Sequence, residues 1–96
     1  MTQQQITDAL EIEDLELETL NAILDGQKDK VKKLYGKVEH LFVKGSDYNR
    51  SIIANRFIFP ISQLLEMNYS WGRKYLNLFP PQLKAEYYRQ VYASGI

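Results

Sequence analysis

Cysteine is absent from the chain, and histidine occurs once. Without thiols there is no disulfide framework, no thiolate metal site and no cysteine nucleophile, a composition that fits a reducing compartment. With His40 as the one imidazole, a histidine-rich metal centre is excluded as well. His40 and Glu39 are chain neighbours, so on a helix they diverge by about 100° and cannot chelate one ion together. Glycine is scarce too, and none of the five glycines forms a phosphate-cradling loop behind a strand. The five serines (Ser46, Ser51, Ser62, Ser70 and Ser94) lack the glycine-flanked elbow of a hydrolase nucleophile. No catalytic activity, cofactor, metal or small-molecule substrate is therefore expected.

Long apolar runs are also missing. The longest, FIFPISQLL, is about half of what a membrane-spanning helix requires. The opening MTQQQITDALEIED has neither the basic region nor the apolar core of a secretory signal, so a cytoplasmic location is expected and no membrane partner.

What the chain does have is helical spacing. Its 96 residues suit one domain with one modest core, and nothing resembling a linker or repeat divides them. In the first third, Leu10, Leu17, Leu20 and Leu24 share a face widened by Ile12 and Ile23, and Asp8 with Glu11 is a candidate capping box. Residues 1–6 are then expected to fray. Val31, Leu34, Val38 and Leu41 continue the same heptad register, with Tyr35 and Phe42 beside them. A single long coiled-coil helix is one reading of that continuity. The other is a turn at Asp25-Gly26, with glycine in the left-handed position after a helix and Asp29 capping a new helix from Lys30. The turn is favoured, because the heptad seam is short and has Gln27 in its middle.

Gly45 with Ser46 or Asp47 marks the next break, and Ile52, Ile53, Phe57, Ile61, Leu64 and Leu65 form a third apolar stretch. Pro60 either kinks that helix or opens another. Gly72 is a candidate stop, and Pro81 is well placed to open a last helix carrying Leu83, Tyr87, Tyr88, Val91 and Tyr92 and ending near Gly95. The fold class is accordingly all-α: a single-domain bundle, residues 1–96, of four to five helices beginning with a hairpin at about 8–25 and 30–44.

Charge is balanced overall but segregated. Residues 1–26 hold seven acids and no Lys or Arg, whereas residues 27–96 hold twelve bases and five acids. Lys30, Lys33, Lys37, His40 and Lys44 line one helix flank for about 21 Å, a row able to track a phosphate backbone. Glu11, Asp14, Glu18 and Asp25 form an acidic counterpart. In an antiparallel hairpin like-handed flanks meet, and these rows occupy opposite-handed flanks, so they should point to opposite sides rather than pair. An acidic helix folded over a basic site and displaced by a partner is a further reading of the same segregation.

Twelve per cent of the residues are aromatic, more than a core this small needs. Phe42, Phe57, Phe59, Tyr87 and Tyr92 have apolar neighbours in sequence and read as core. Tyr48, Tyr69, Trp71, Tyr75 and Tyr88 read as partly exposed. Aromatics beside Arg make interface hot spots, which selects Trp71, Arg73, Lys74 and Tyr75, with Tyr88 and Arg89 as a second contributor. The expected function is a non-catalytic protein–protein interaction module, an adaptor or regulator whose partner is another protein or a second copy forming a homodimer. The alternative is nucleic-acid binding through the basic row and the aromatic–Arg cluster, weakened by the acidic first helix.

Overall fold

A computed structural model describes residues 2–93, and every regular element in that range is helical. Helix α1 spans Gln3–Leu24 and α2 spans Lys28–Lys44. A continuous helical stretch follows, made of α3 (Asp47–Ile53), one π-helical turn (Ala54–Ile58) and α4 (Phe59–Met67). Helices α5 (Tyr69–Asn77) and α6 (Pro81–Ala93) complete the bundle. Gly95 and the expected end of the last helix lie outside the described residues.

The first two helices form the hairpin. Gly26 takes a left-handed φ of 72°. Its N–H donates to Ile23 O at 3.0 Å and that of Gln27 to Ala22 O at 2.9 Å, the paired bonds of a Schellman stop. The other boundaries differ from expectation. Thr2 and Gln5, not Asp8 and Glu11, form the capping box, with Gln5 N–H donating to Thr2 Oγ1 at 3.1 Å and Thr2 N–H to Gln5 Oε1 at 3.0 Å. The helix thus begins at Gln3, and Gln3–Ile6 form its first turn. Asp29 does not cap α2: the Schellman turn delivers Gln27 to the N-cap, leaving Asp29 in the first turn, where its charge suits the helix dipole. Ser46 is the cap of α3, its Oγ accepting from Asn49 N–H at 3.2 Å.

Pro60 lies in the first turn of α4, which follows the π turn without a break. Within a regular α-helix its ring would collide with the carbonyl four residues back and that carbonyl would lose its donor. The π turn relieves this by widening the backbone just upstream, where Phe59 N–H donates to Ala54 O, five residues back. Ala54 O also accepts from the Gln90 side chain at 2.9 Å, which ties the turn to α6. The extra residue brings Phe57 and Ile58 inward together, and both are fully buried.

The core runs from Ile12, Leu15 and Ile23 through Val31, Tyr35 and Val38 to Ile53, Phe57, Ile61, Leu65, Phe79 and Leu83. Its centre is Tyr35, whose ring lies 4.7 Å from Phe79 and edge-on to Phe57 at 6.3 Å. The Tyr35 hydroxyl is buried and reaches no hydrogen-bonding atom of the described residues. Burial, then the neighbouring Tyr75, pushes its ionisation far above the usual phenol range. An unpaired buried hydroxyl is a net cost, so Tyr35→Phe should stabilise the fold by about 1 kcal/mol, read as a Tm rise of several degrees. A lower Tm would show that the hydroxyl is satisfied.

Helix α6 is capped across the fold. Pro80 precedes it and Pro81 lacks an N–H, so the first free donors are those of Gln82 and Leu83. Both donate to one oxygen of Glu39 on α2, at 3.0 and 3.3 Å. A carboxylate at a helix N-terminus meets both the open donors and the dipole. Glu39→Ala should therefore cost ~1 kcal/mol and Glu39→Gln less, measurable by urea denaturation; equal midpoints for all three proteins would refute this role.

The bundle measures 41 × 32 × 19 Å, and its thinnest dimension accommodates only about two helix diameters. In such a slab each helix has one face inside and another toward solvent. That geometry leads to the candidate site.

Candidate interaction surface

The inner face of α1 is not the leucine face. Ala9, Ile12, Leu15, Thr19, Ala22 and Ile23 are buried, while Leu10, Leu17 and Leu24 are 58%, 54% and 65% exposed. Small residues explain the reversal. Ala9, Thr19 and Ala22 let α1 approach its neighbours closely, and Thr19 satisfies its hydroxyl on Leu15 O at 2.7 Å, so a nominally polar residue packs inside. Hydrophobicity alone selects the leucines; packing selects the smaller side chains.

The displaced leucines form a second apolar stripe. Ile6, Leu10, Leu17 and Leu24 are all exposed, with Leu20 half-buried along the same edge. Their spacing of three, four and seven is that of a coiled-coil seam, about 27 Å long and broken once, by Glu13. Asp14 neighbours both Leu10 and Leu17 on the helix surface, and Glu16 neighbours Leu20. Acids thus border the seam on both sides. Partial burial, then the charge of Glu13, raises the Glu16 carboxyl above its usual range.

At its C-terminal end the seam opens into a cleft of ≈ 250 Å³ lined by Ile23, Leu24, Gly26, Trp71, Lys74 and Tyr75. Helix α5 positions the last three. Asn68 shapes the corner before it: its side chain donates to Leu64 O at 2.9 Å, and its carbonyl accepts from Trp71 and Gly72 N–H at 3.2 and 2.7 Å. Gly72 is not a stop but the contact point of α5 on α4. Trp71 is 38% exposed and meets Tyr75 edge-on at 6.5 Å, while Lys74 lies 5.2 Å over the Tyr75 ring.

Of the residues selected from sequence, Trp71, Lys74 and Tyr75 are thus brought together with Leu24. Tyr75 is buried rather than exposed and forms the floor of the cleft. Arg73 turns outside it, 5.9 Å over the Tyr69 ring. Tyr88 and Arg89 belong to α6 and line no part of this cleft. Tyr88 packs on Tyr87, whose hydroxyl donates to Glu66 at 2.6 Å, and Arg89 is engaged by Glu86 on its own helix. Phe59 and Tyr92, expected in the core, are exposed. The π turn and Pro60 rotate Phe59 outward, and Tyr92 lies past the last buried turn of α6.

The remaining charged groups are simply placed. His40 is exposed, and its neighbour Glu39 is committed to capping α6. Among the described residues no group of three His, Asp or Glu side chains is placed to hold a metal ion. No helix among them is long and apolar enough to cross a membrane. Lys30, Lys33, Lys37, His40 and Lys44 face solvent along α2, and no ion pair among the described residues links them to the acidic row of α1. The rows do not pair, but not for the reason the helical wheel gave, which takes the leucine side of α1 as its inner face: with Ala9, Ile12, Leu15 and Thr19 inside, the acidic row falls on the other flank. The inner face of the acidic helix belongs to the common core.

A family profile described as "Domain of unknown function (DUF7674)" matches residues 3–93. The chain belongs to this family. The match to the DUF7674 family takes in both the seam of α1 and the Trp71 cleft. No curated protein and no solved structure shows significant similarity to the chain.

Proposed function

We propose that this protein is a non-catalytic, cytoplasmic protein–protein interaction module, an adaptor or regulator that works through the outer seam of α1 and the adjoining Trp71 cleft. The observation that carries this reading is the seam itself. Four large apolar residues at coiled-coil spacing face solvent beside an apolar cleft, although the fold buries the other side of the same helix. Contiguous exposed apolar surface of this kind marks interaction sites rather than core leftovers. Trp71 supplies an aromatic anchor of the type that dominates interface energetics.

The test is affinity capture from nuclease-treated native extract, comparing wild type with the double variant Leu10→Gln, Leu17→Gln. Both side chains are exposed, so the variant should keep its helical circular dichroism. Partners retained by wild type at comparable stoichiometry and lost by the variant are expected. Identical capture by the two proteins would sink the reading.

A second reading, polyanion binding by Lys30, Lys33, Lys37, His40 and Lys44, is favoured by one observation: the row is solvent-facing and makes no ion pair with a carboxylate among the described residues. Its mark would be affinity for single-stranded nucleic acid that falls steeply with added salt.

A further inference from the structure

We infer that the partner of the α1 seam is a cationic amphipathic helix, laid along Ile6, Leu10, Leu17 and Leu24 with its end seated near Trp71. This rests on the interaction-module reading above and names its partner class. The surface is a straight apolar stripe about 27 Å long, the length of some eighteen helical residues, which suits a helix better than a loop or strand. Its chemistry is one-signed. Glu13 interrupts the stripe, Asp14 and Glu16 border it, and Glu11, Glu18 and Asp25 lie further round the same helix, with no Lys or Arg among residues 1–26. A partner helix with leucine-like residues at its seam and Lys or Arg on its flanks would place cations beside the bordering carboxylates of Asp14 and Glu16, within the acidic field of the rest of α1.

The same charges disfavour a second copy of this chain. Any pairing of two α1 seams, parallel or antiparallel, sets carboxylate rows against each other without one compensating base. The basic row of α2 cannot substitute, because it carries no apolar stripe to insert: Val43 is the exposed large apolar residue of that helix. The raised Glu16 carboxyl fits the inference, since an incoming cation relieves the repulsion from Glu13 that helps to raise it.

Two labelled 21-residue peptides would test the inference against the full chain by fluorescence anisotropy. Both have three heptads with Leu at a and d; one carries Lys at e and g and the other Glu. The Lys peptide should bind at least about tenfold more tightly than the Glu peptide, a difference that is read directly from the two titrations. Leu10→Gln with Leu17→Gln should weaken it about tenfold, and Glu13→Gln with Asp14→Gln by a few-fold, falling further as salt rises. Three results would overturn the inference: equal affinity for the two peptides, Lys-peptide binding indifferent to the leucine variants, or no binding by either. Light scattering on a dilution series supplies a fourth. A dimer that the leucine variants convert to monomer would assign the seam to a second copy, and the interaction-module reading would survive while the cationic partner would not.

Discussion

Gly72→Ala should be the most damaging single-methyl change in the protein, destabilising it by about 4 kcal/mol or more. A Cβ at Gly72 would lie 2.2 Å from Leu65 O and 2.8 Å from Leu65 C and Cα. These are backbone atoms of the last turn of α4, so no rotamer change relieves the overlap, and α5 must move bodily. The corner is also stiff, because Asn68 closes α4 with its side chain and opens α5 with its carbonyl. Against a total stability that for such domains is roughly 5–15 kcal/mol, the loss would lower Tm by more than ~15 °C or prevent folding. Gly36→Ala is the matched control. Nothing lies within 4 Å of a Cβ there, and the residue sits in the interior of α2. That substitution should stabilise by about 0.5–1 kcal/mol through helix propensity. Thermal melts of the two variants should shift in opposite directions; a Gly72→Ala Tm within a few degrees of wild type would mean that α5 does not pack on Leu65 as described.

Phe57→Ala should cost ~3–5 kcal/mol, the range for removing a fully buried aromatic ring. Phe57 has no exposed surface and contacts the Tyr35 ring edge-on, so its loss opens the centre of the core rather than its margin. Phe59, two residues on, is half exposed on the outer side of the same helical stretch. Phe59→Ala should cost far less, ~1 kcal/mol or below. Urea denaturation of the pair checks both the burial and the π turn that separates their directions. Similar losses for the two would show that residues 54–58 form regular α-helix and turn Phe59 inward.

The two phenylalanines mark where reading the sequence stops. Both lie in one apolar run, and a period of 3.6 residues places each near the core. Nothing local reports that the helix widens by one residue before Pro60. The same limit applies to α1. Its leucines at positions 10, 17 and 24 read as the inner face because leucine is the more hydrophobic choice, yet Ala9, Thr19 and Ala22 pack inside. A helix with apolar residues on two sides declares that it has two contact surfaces, but not which of them the rest of its own chain will take.

The candidate site was legible in part for a related reason. Trp71, Lys74 and Tyr75 stood out as an aromatic–basic cluster, and they do gather around one cleft. Leu24, the residue that joins them to α1, reads by its periodicity as part of an inner apolar face. Tyr88 and Arg89 carried the same composition signal and sit elsewhere, because composition says nothing about which helices end up adjacent. Glu39 gave no signal at all, since its partners Gln82 and Leu83 are more than forty residues away.

What the sequence determined by itself is local. Helical periodicity, Gly26 after Asp25, Ser46 before α3 and Pro81 at the start of α6 each act within a few residues, through backbone sterics and the bonds of helix ends, so they can be read in order along the chain. The all-α class and the hairpin follow from them. What only the tertiary structure decided is which of two apolar faces of α1 is buried, how Pro60 is accommodated, why Gly72 must lack a side chain, and what caps α6. Each of these depends on how closely two distant segments approach. That distance is set by side-chain volumes on both sides of a contact, and no short stretch of sequence contains both.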